Sequence, residues 1–337
     1  MLNVRVLALI STVSLAACAG DSTSDFDLSD GDTGPAPVTL EEEELDRQRA
    51  ELAAQLPPAP PVTLAPAAGP LVRRNIRVNG VAREFLLHVP ASLEQATPAP
   101  LVMIHHGFTM SAMVMANLTS WRAIAEREKI IVAFPNGDMD FGPISSPWNV
   151  GLGVCGVGAF VANPIQDDLG FVDAMIADVN AIHPVDKQNV FTTGFSMGGY
   201  FANHIGCQRS KLLKAVAPHS GGTYGGDCPS YEPLPVMLVH GTGDGLIAYD
   251  CGKQAKDHWV RRNGCSPNNP RTQPVKGGTC EFYQGCKPGA DVAMCTFQGM
   301  GHGWAGSAGF GLPFDYAGGV RFEDGAEVIW RFFKQYI

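Results

Sequence analysis

Ser196 sits in Gly194-Phe195-Ser196-Met197-Gly198, a G-x-S-x-G pattern. In front of it, Asn189-Val190-Phe191-Thr192-Thr193 is β-branched and aromatic enough to read as a strand, and behind it Gly199-Tyr200-Phe201-Ala202-Asn203-His204-Ile205 reads as the first turns of a helix. Small residues on both sides of a serine at such a junction let the backbone take a strained turn that pushes the hydroxyl into the open. A serine hydroxyl is a poor nucleophile at neutral pH, so it needs a base to take its proton and a carboxylate to orient that base. For a serine on this kind of turn the partners follow in the order acid, then histidine. Leu234-Pro235-Val236-Met237-Leu238-Val239 is a short apolar run of buried-strand type that ends in His240-Gly241-Thr242-Gly243-Asp244, and Asp244 is the acid candidate. Asp291-Val292-Ala293-Met294-Cys295-Thr296-Phe297 reads as another strand and leads into Gly299-Met300-Gly301-His302-Gly303-Trp304, which makes His302 the base candidate. The rivals are weaker. Asp250 lies beyond the turn, and His204, His240 and His258 lack the glycine-flanked loop that would free an imidazole to reach the serine.

Attack on a carbonyl puts a full charge on its oxygen, so the chemistry also needs backbone donors aimed at that oxygen. Pro100-Leu101-Val102-Met103-Ile104 is a buried-type strand running into His105-His106-Gly107-Phe108-Thr109. Gly107 lets the chain turn tightly enough to aim the next N–H groups at the site. Phe108 and Met197 are the expected donors, with Thr109 close by and available to substrate. A metal at His105 and His106 is not expected, because the two rings project oppositely if the strand continues through them.

These pieces need a scaffold that places several strand ends on one edge. Strands alternate with helical stretches over residues 112–128, 168–182 and 325–336, the last with an apolar stripe of Val328, Ile329, Trp330, Phe332 and Phe333. The alternation predicts a mostly parallel sheet covered by helices on both faces. Gly151-Leu152-Gly153-Val154-Cys155-Gly156 fits a dinucleotide-binding pattern formally, but it follows Ser-Ser-Pro-Trp rather than a strand and Asn163-Pro164 soon blocks the required helix. It reads as a loop, and no cofactor is expected.

Taken together, the series resembles a known family. Residues 73–337 are similar to the secreted α/β-hydrolases that group polyhydroxybutyrate depolymerase-like esterases with feruloyl and acetylxylan esterases. The matching stretches are residues 100–109 with their His-Gly, 121–136, Asp167-Asp168-Leu169-Gly170-Phe171-Val172, Val185-Asp186 leading into 190–199, 240–244, 259–265 and Gly301-His302-Gly303-Trp304. The resemblance implies an α/β-hydrolase fold without a large cap domain, a triad of Ser196, Asp244 and His302, and an oxyanion hole from Phe108 and Met197. It also implies pairing of Cys207 with Cys228 and of Cys265 with Cys286. Phe108-Thr109-Met110 is more apolar than the small, polar run the family more often carries there.

The N-terminus has a short basic start at Arg5, an apolar run over residues 6–13 and Leu15-Ala16-Ala17-Cys18. An apolar segment this short does not span a bilayer, so residues 1–17 read as a secretory signal. The small residues before Cys18 resemble the bacterial lipobox, which would put a lipid on Cys18 and a destination at the outer membrane; ordinary cleavage and release to the periplasm or the medium is the alternative. Residues 18–72 read as a tether, because residues 19–51 carry a net charge of −9 and the whole chain of 337 residues is also −9. The acidity therefore describes a solvated, Pro- and Ala-rich spacer and says nothing about the substrate. Nothing in the chain is basic enough to hold nucleic acid. Setting Cys18 aside leaves Cys155, Cys207, Cys228, Cys251, Cys265, Cys280, Cys286 and Cys295, an even set that reads as four disulfides and, without a C-x-x-C spacing, not as a metal site.

Two function classes follow. The first is an exported, monomeric serine esterase whose substrate, a polymer or a smaller ester, is a feruloyl or acetyl ester of plant cell-wall polysaccharide or a hydroxyalkanoate polyester. The second is a non-catalytic surface lipoprotein, and a serine peptidase of the same fold is the mechanistic rival within the first. Trp148 in the Gly- and Pro-rich loop over residues 141–164, and Trp304 beside His302, are the expected aromatic walls for substrate.

Overall fold

The computed structural model describes residues 70–137, 147–150, 155, 166–223, 228, 232–307 and 321–337. The chain divides into two units, Met1–Ala59 and Pro60–Ile337, and all described residues belong to the second. The expected signal, Cys18 and most of the expected tether lie outside the described residues, as does most of the 141–164 loop.

Among the described residues ten strands form one sheet: β1 (Val72–Val78), β2 (Val81–His88), β3 (Ala99–His105), β4 (Ile131–Pro135), β5 (Val185–Phe195), β6 (Ala215–His219), β7 (Val236–Gly241), β8 (Ser266–Val275), β9 (Gly278–Gln284) and β10 (Val292–Phe297). Their order is β1-β2-β4-β3-β5-β6-β7-β10-β9-β8. The block from β4 to β10 is parallel, and antiparallel hairpins extend both of its ends. The parallel strands read as continuous apolar runs because both of their faces are covered. Leu101 and Met103 of β3 pack into one core while Val102 and Ile104 pack into the other.

The first core takes the apolar faces of α3 (Asp168–Ile182), α4 (Met197–Gln208) and α5 (Tyr249–Asn263). The second takes α1 (Ala112–Leu118), α2 (Trp121–Glu128) and α6 (Gly325–Phe333). The expected single helix over residues 112–128 is thus two. Thr119 sits in extended backbone, and its hydroxyl donates to the Met115 carbonyl at 2.9 Å, which closes α1 before Trp121 begins the next helix. The last stripe behaves as expected, with Trp330 and Phe333 buried against Phe191 and Trp121, although the α-helix ends at Phe333 and a 3-10 turn, Lys334–Tyr336, follows.

Chain order sets where a site can form. From β3 the chain moves outward to β4, then returns to β5 on the other side of β3. The crevice beyond the carboxyl ends of β3 and β5 is therefore the switch point where open α/β sheets hold ligands. In register, His105 ends beside Gly194, Phe195 beside His219, and His240 beside Thr296, so the loops carrying all the candidate residues leave one edge.

Four disulfides are present: Cys155–Cys251, Cys207–Cys228, Cys265–Cys286 and Cys280–Cys295. The two pairs implied by the family resemblance are among them. Cys155–Cys251 spans 96 residues and the others 15 to 21, so loop-closure entropy makes the first worth about 4–5 kcal/mol and the shorter ones about 3 kcal/mol each. Replacing both Cys155 and Cys251 by serine is expected to lower the melting temperature more than the same double replacement at any other pair. Thermal denaturation of the four double variants checks the order.

Candidate active site

Ser196 follows the last residue of β5 and caps α4, with φ 55° and ψ −117°. That backbone is costly for a residue with a side chain, and the surroundings enforce it. A Cβ on Gly194 would stand 2.3 Å from the Gly198 carbonyl oxygen, and one on Gly198 would stand 2.3 Å from that of His105. Only glycine fits at either place. The Ser196 N–H donates to the His219 carbonyl at 2.9 Å, which ties the turn to β6.

The expected acid, base and nucleophile come together. His302 Nδ1–H donates to Asp244 Oδ2 at 2.8 Å, and His302 Nε2 faces Ser196 Oγ at 2.8 Å. A carboxylate only accepts, so the proton of the neutral ring lies on Nδ1 and Nε2 presents its lone pair to the serine hydroxyl. Asp244 Oδ1 accepts from the Leu246 and Ile247 N–H groups at 3.0 and 2.8 Å. Burial pushes the Asp244 carboxyl up, but donors on His240 and His302 outweigh it and hold the group well below the usual carboxylate range. The rival acid, Asp250, is exposed on α5 and pairs with Lys253 at 2.6 Å.

The glycines around the acid and base serve close approach between their loops. A Cβ on Gly241 would meet the Met300 carbonyl oxygen at 2.2 Å. Gly243 N–H donates to that carbonyl at 3.0 Å, Thr242 N–H to the Phe297 carbonyl at 3.0 Å, and Gly299 N–H to Thr242 Oγ1 at 2.8 Å. Thr242 and His219 also hold these loops, and neither carries a motif that marks it in the sequence. His219 Nε2 accepts from Ala305 N–H at 3.1 Å and its ring stacks on Trp304 at 4.5 Å, so it anchors the loop that carries His302.

On the other side of Ser196, a Cβ on Gly107 would lie 3.2 Å from Ser196 Cβ, which sets Phe108 beside the nucleophile. Met110 N–H closes a turn onto the Gly107 carbonyl at 3.1 Å, and Thr109 within it has φ 63° and is exposed. Met197 is the first residue of α4, where N–H groups lack helical acceptors and the helix dipole favours negative charge. His105 Nε2 pairs with Thr192 Oγ1 at 2.9 Å, while His106 Nδ1 donates to the Gly107 carbonyl and its Nε2 accepts from Gly137 N–H.

Both tryptophans expected to wall the substrate lie inside the protein instead. Trp148 is 1% exposed, stacks on Phe201 at 4.8 Å and donates from Nε1 to the His106 carbonyl at 2.9 Å, so it buttresses the turn beside Ser196. Trp304 is 2% exposed between His219 and Phe195.

No protein-family model matches the chain. It is 29% identical over 258 residues to feruloyl esterase B of Piromyces equi, covering 68% of this chain and 46% of that protein, so it spans about half of that relative's length. It is 29% identical over 239 residues to feruloyl esterase D of Neurospora crassa, covering 68% of this chain and 79% of that protein. Among solved structures, an acetyl xylan esterase from Aspergillus awamori shares the fold with a TM-score of 0.56 at 16% identity, over 70% of this chain and 94% of that one.

The depressed acidity of Asp244 has a measurable consequence. A folded-state pKa below the unfolded value of about 3.9 stabilises the fold at pH above that value, and the contribution is lost as pH falls through the folded-state pKa. The stability difference between the parent and Asp244→Asn is therefore expected to shift against the parent on going from pH 6 to pH 3. Denaturant titrations of both at the two pH values check the direction.

Proposed function

We propose that this chain, an α/β hydrolase similar to feruloyl and acetylxylan esterases, hydrolyses carboxylic esters of plant cell-wall polysaccharide through an acyl-enzyme formed at Ser196, with feruloyl esters as the preferred class. The observation that carries this reading is the unbroken relay from Asp244 through His302 to Ser196, at 2.8 Å for each step. Ser196 Oγ attacks the ester carbonyl while His302 Nε2 takes its proton, and Asp244 holds the imidazolium. The Phe108 and Met197 N–H groups stabilise the oxyanion. The carbonyl re-forms, the carbon–oxygen bond to the alcohol breaks, and His302 protonates the departing alkoxide. Water, deprotonated by His302, then releases the acid and restores the serine.

Feruloyl preference is supported by the names of two relatives that each match 68% of this chain. It also fits the apolar character of the loops at the site: Phe108 is half-buried beside Ser196, and Leu246, two residues past Asp244, is 49% exposed. An aromatic acyl group finds partners there that an acetyl group does not need. Four disulfides support an oxidising compartment, and among the described residues no helix is long and apolar enough to cross a membrane. Lipidation of Cys18 and an outer-membrane tether complete the proposal.

Ser196→Ala is expected to lower hydrolysis of methyl ferulate by a factor of about 10³ or more with the melting temperature retained. Turnover within tenfold of the parent would refute the nucleophile. Run on the parent, a panel of methyl ferulate, acetylated xylan and hydroxybutyrate oligomers separates the substrate classes, and a higher kcat/KM on either of the last two would displace feruloyl esters. Removal of residues 1–69 is expected to leave kcat/KM on a soluble ester unchanged, and Cys18→Ser to release exported protein from the membrane.

A further inference from the structure

His240 is the last histidine before the acid, it is 1% exposed at the end of β7, and the proposed ester hydrolysis gives it no role. Its ring meets the acid loop from below. Nε2 lies 2.9 Å from the Ile247 carbonyl oxygen and 3.4 Å from Asp244 Oδ2. A carbonyl oxygen only accepts, so Nε2 carries the proton, donates it to Ile247 and sets the ring edge against the carboxylate. The loop from Asp244 to Ile247 is thereby held at both ends. Its N–H groups at Leu246 and Ile247 grip Asp244 Oδ1, and its Ile247 carbonyl is gripped by His240. The ring has no room to swing away, since a Cβ on Gly252 of α5 would stand 2.6 Å from His240 Nδ1, and Tyr249 stands edge-on at 6.0 Å.

The oxygen that His240 touches is the one that accepts from His302, so any rotation of the carboxylate reaches the base directly. We infer that His240 is a positioning residue that fixes the Asp244 carboxylate for His302 by clamping the acid loop, without touching substrate. The inference rests on the ester-hydrolase reading for its kcat values, and a second readout frees it from that reading. The rate at which Ser196 is phosphonylated by an alkyl fluorophosphonate depends on the same relay and needs no natural substrate.

His240→Met fills the site without an N–H, and is expected to lower both kcat on a soluble ester and the phosphonylation rate by tenfold to a hundredfold, since misplacing catalytic groups by about 1 Å costs that order. KM is expected to stay within twofold. His240→Gln, which can present its amide to the Ile247 carbonyl, is expected to recover most of the loss. Added to Asp244→Asn, His240→Met is expected to cost less than twofold more, because its effect runs through the carboxylate. Rates of His240→Met within twofold of the parent, or an equal factor in both backgrounds, would overturn the inference. If His240→Met does not fold, His240→Asn replaces it: its shorter amide falls short of Ile247, and phosphonylation as fast as in His240→Gln would overturn the inference equally. A parent that is phosphonylated at Ser196 yet hydrolyses no ester would refute the substrate reading and leave the clamp to be judged on the phosphonylation rates.

Discussion

A residue with a side chain held at φ 55° and ψ −117° costs on the order of 1–3 kcal/mol, and the arrangement of this edge of the sheet follows from meeting that cost at Ser196. The turn is held by the His219 carbonyl on its N–H and by two α4 N–H groups, of Gly199 and Tyr200, on its own carbonyl. It closes only because Gly194, Gly198 and the end of β3 touch backbone to backbone. The same contact draws the His105–Gly107 segment against the nucleophile. The strained turn and the candidate oxyanion donors are therefore one packing event, and widening either glycine would separate them.

The acid and base loops solve a related problem by the same means. Gly241 lies so close to Met300 that no side chain fits between them, and backbone bonds lace Thr242 and Gly243 to the Phe297–Met300 turn. Parallel pairing of β7 with β10 delivers the two loops side by side, and the lacing fixes their height above the sheet. Asp244 and His302 are 58 residues apart in sequence, but their separation in space is set by this short span of main chain.

The elements that bring Ser196, Asp244 and His302 together were legible because each combines a buried-strand run with a glycine turn. What was not legible is mostly away from the parallel block. The β1–β2 hairpin announces itself through Asn79-Gly80, both in the left-handed region at φ 49° and 84°, a two-residue turn signal that carries no chemistry of its own. β6 is only five residues, and its Pro218 lowers any strand propensity, yet it occupies the centre of the sheet because its neighbours leave a gap there. β8 is polar and carries Pro267, Pro270 and Pro274, which suit an exposed edge and hide it from any search for apolar alternation. The tryptophans failed for a different reason. Neither the place of Trp304 beside His302 nor that of Trp148 in a Gly- and Pro-rich loop says which side of the chain a ring takes, and the interior took both.

Of nine histidines, His105, His106, His219, His240 and His302 all gather near the ends of the central strands, so residue type alone cannot select the base. Partners do. Burial pushes His105 down to about 3, with His106 adding to the effect, and burial pushes His106 down to about 4. Burial likewise holds His219 well below its usual value, with the nearby His240 and His302 opposing its charge further. These rings are neutral near pH 7, and they serve as struts whose nitrogens bind Thr192, Gly137 and Ala305. Their neutrality matters electrostatically. In the proposed mechanism a charged ring at His219 would repel an imidazolium on His302, whereas a neutral one leaves the ionised Asp244 to stabilise it in a medium where such a charge pair is poorly screened. The struts around His302 thus keep the site polar enough to be rigid while leaving it to a single histidine to join a hydroxyl to a carboxylate.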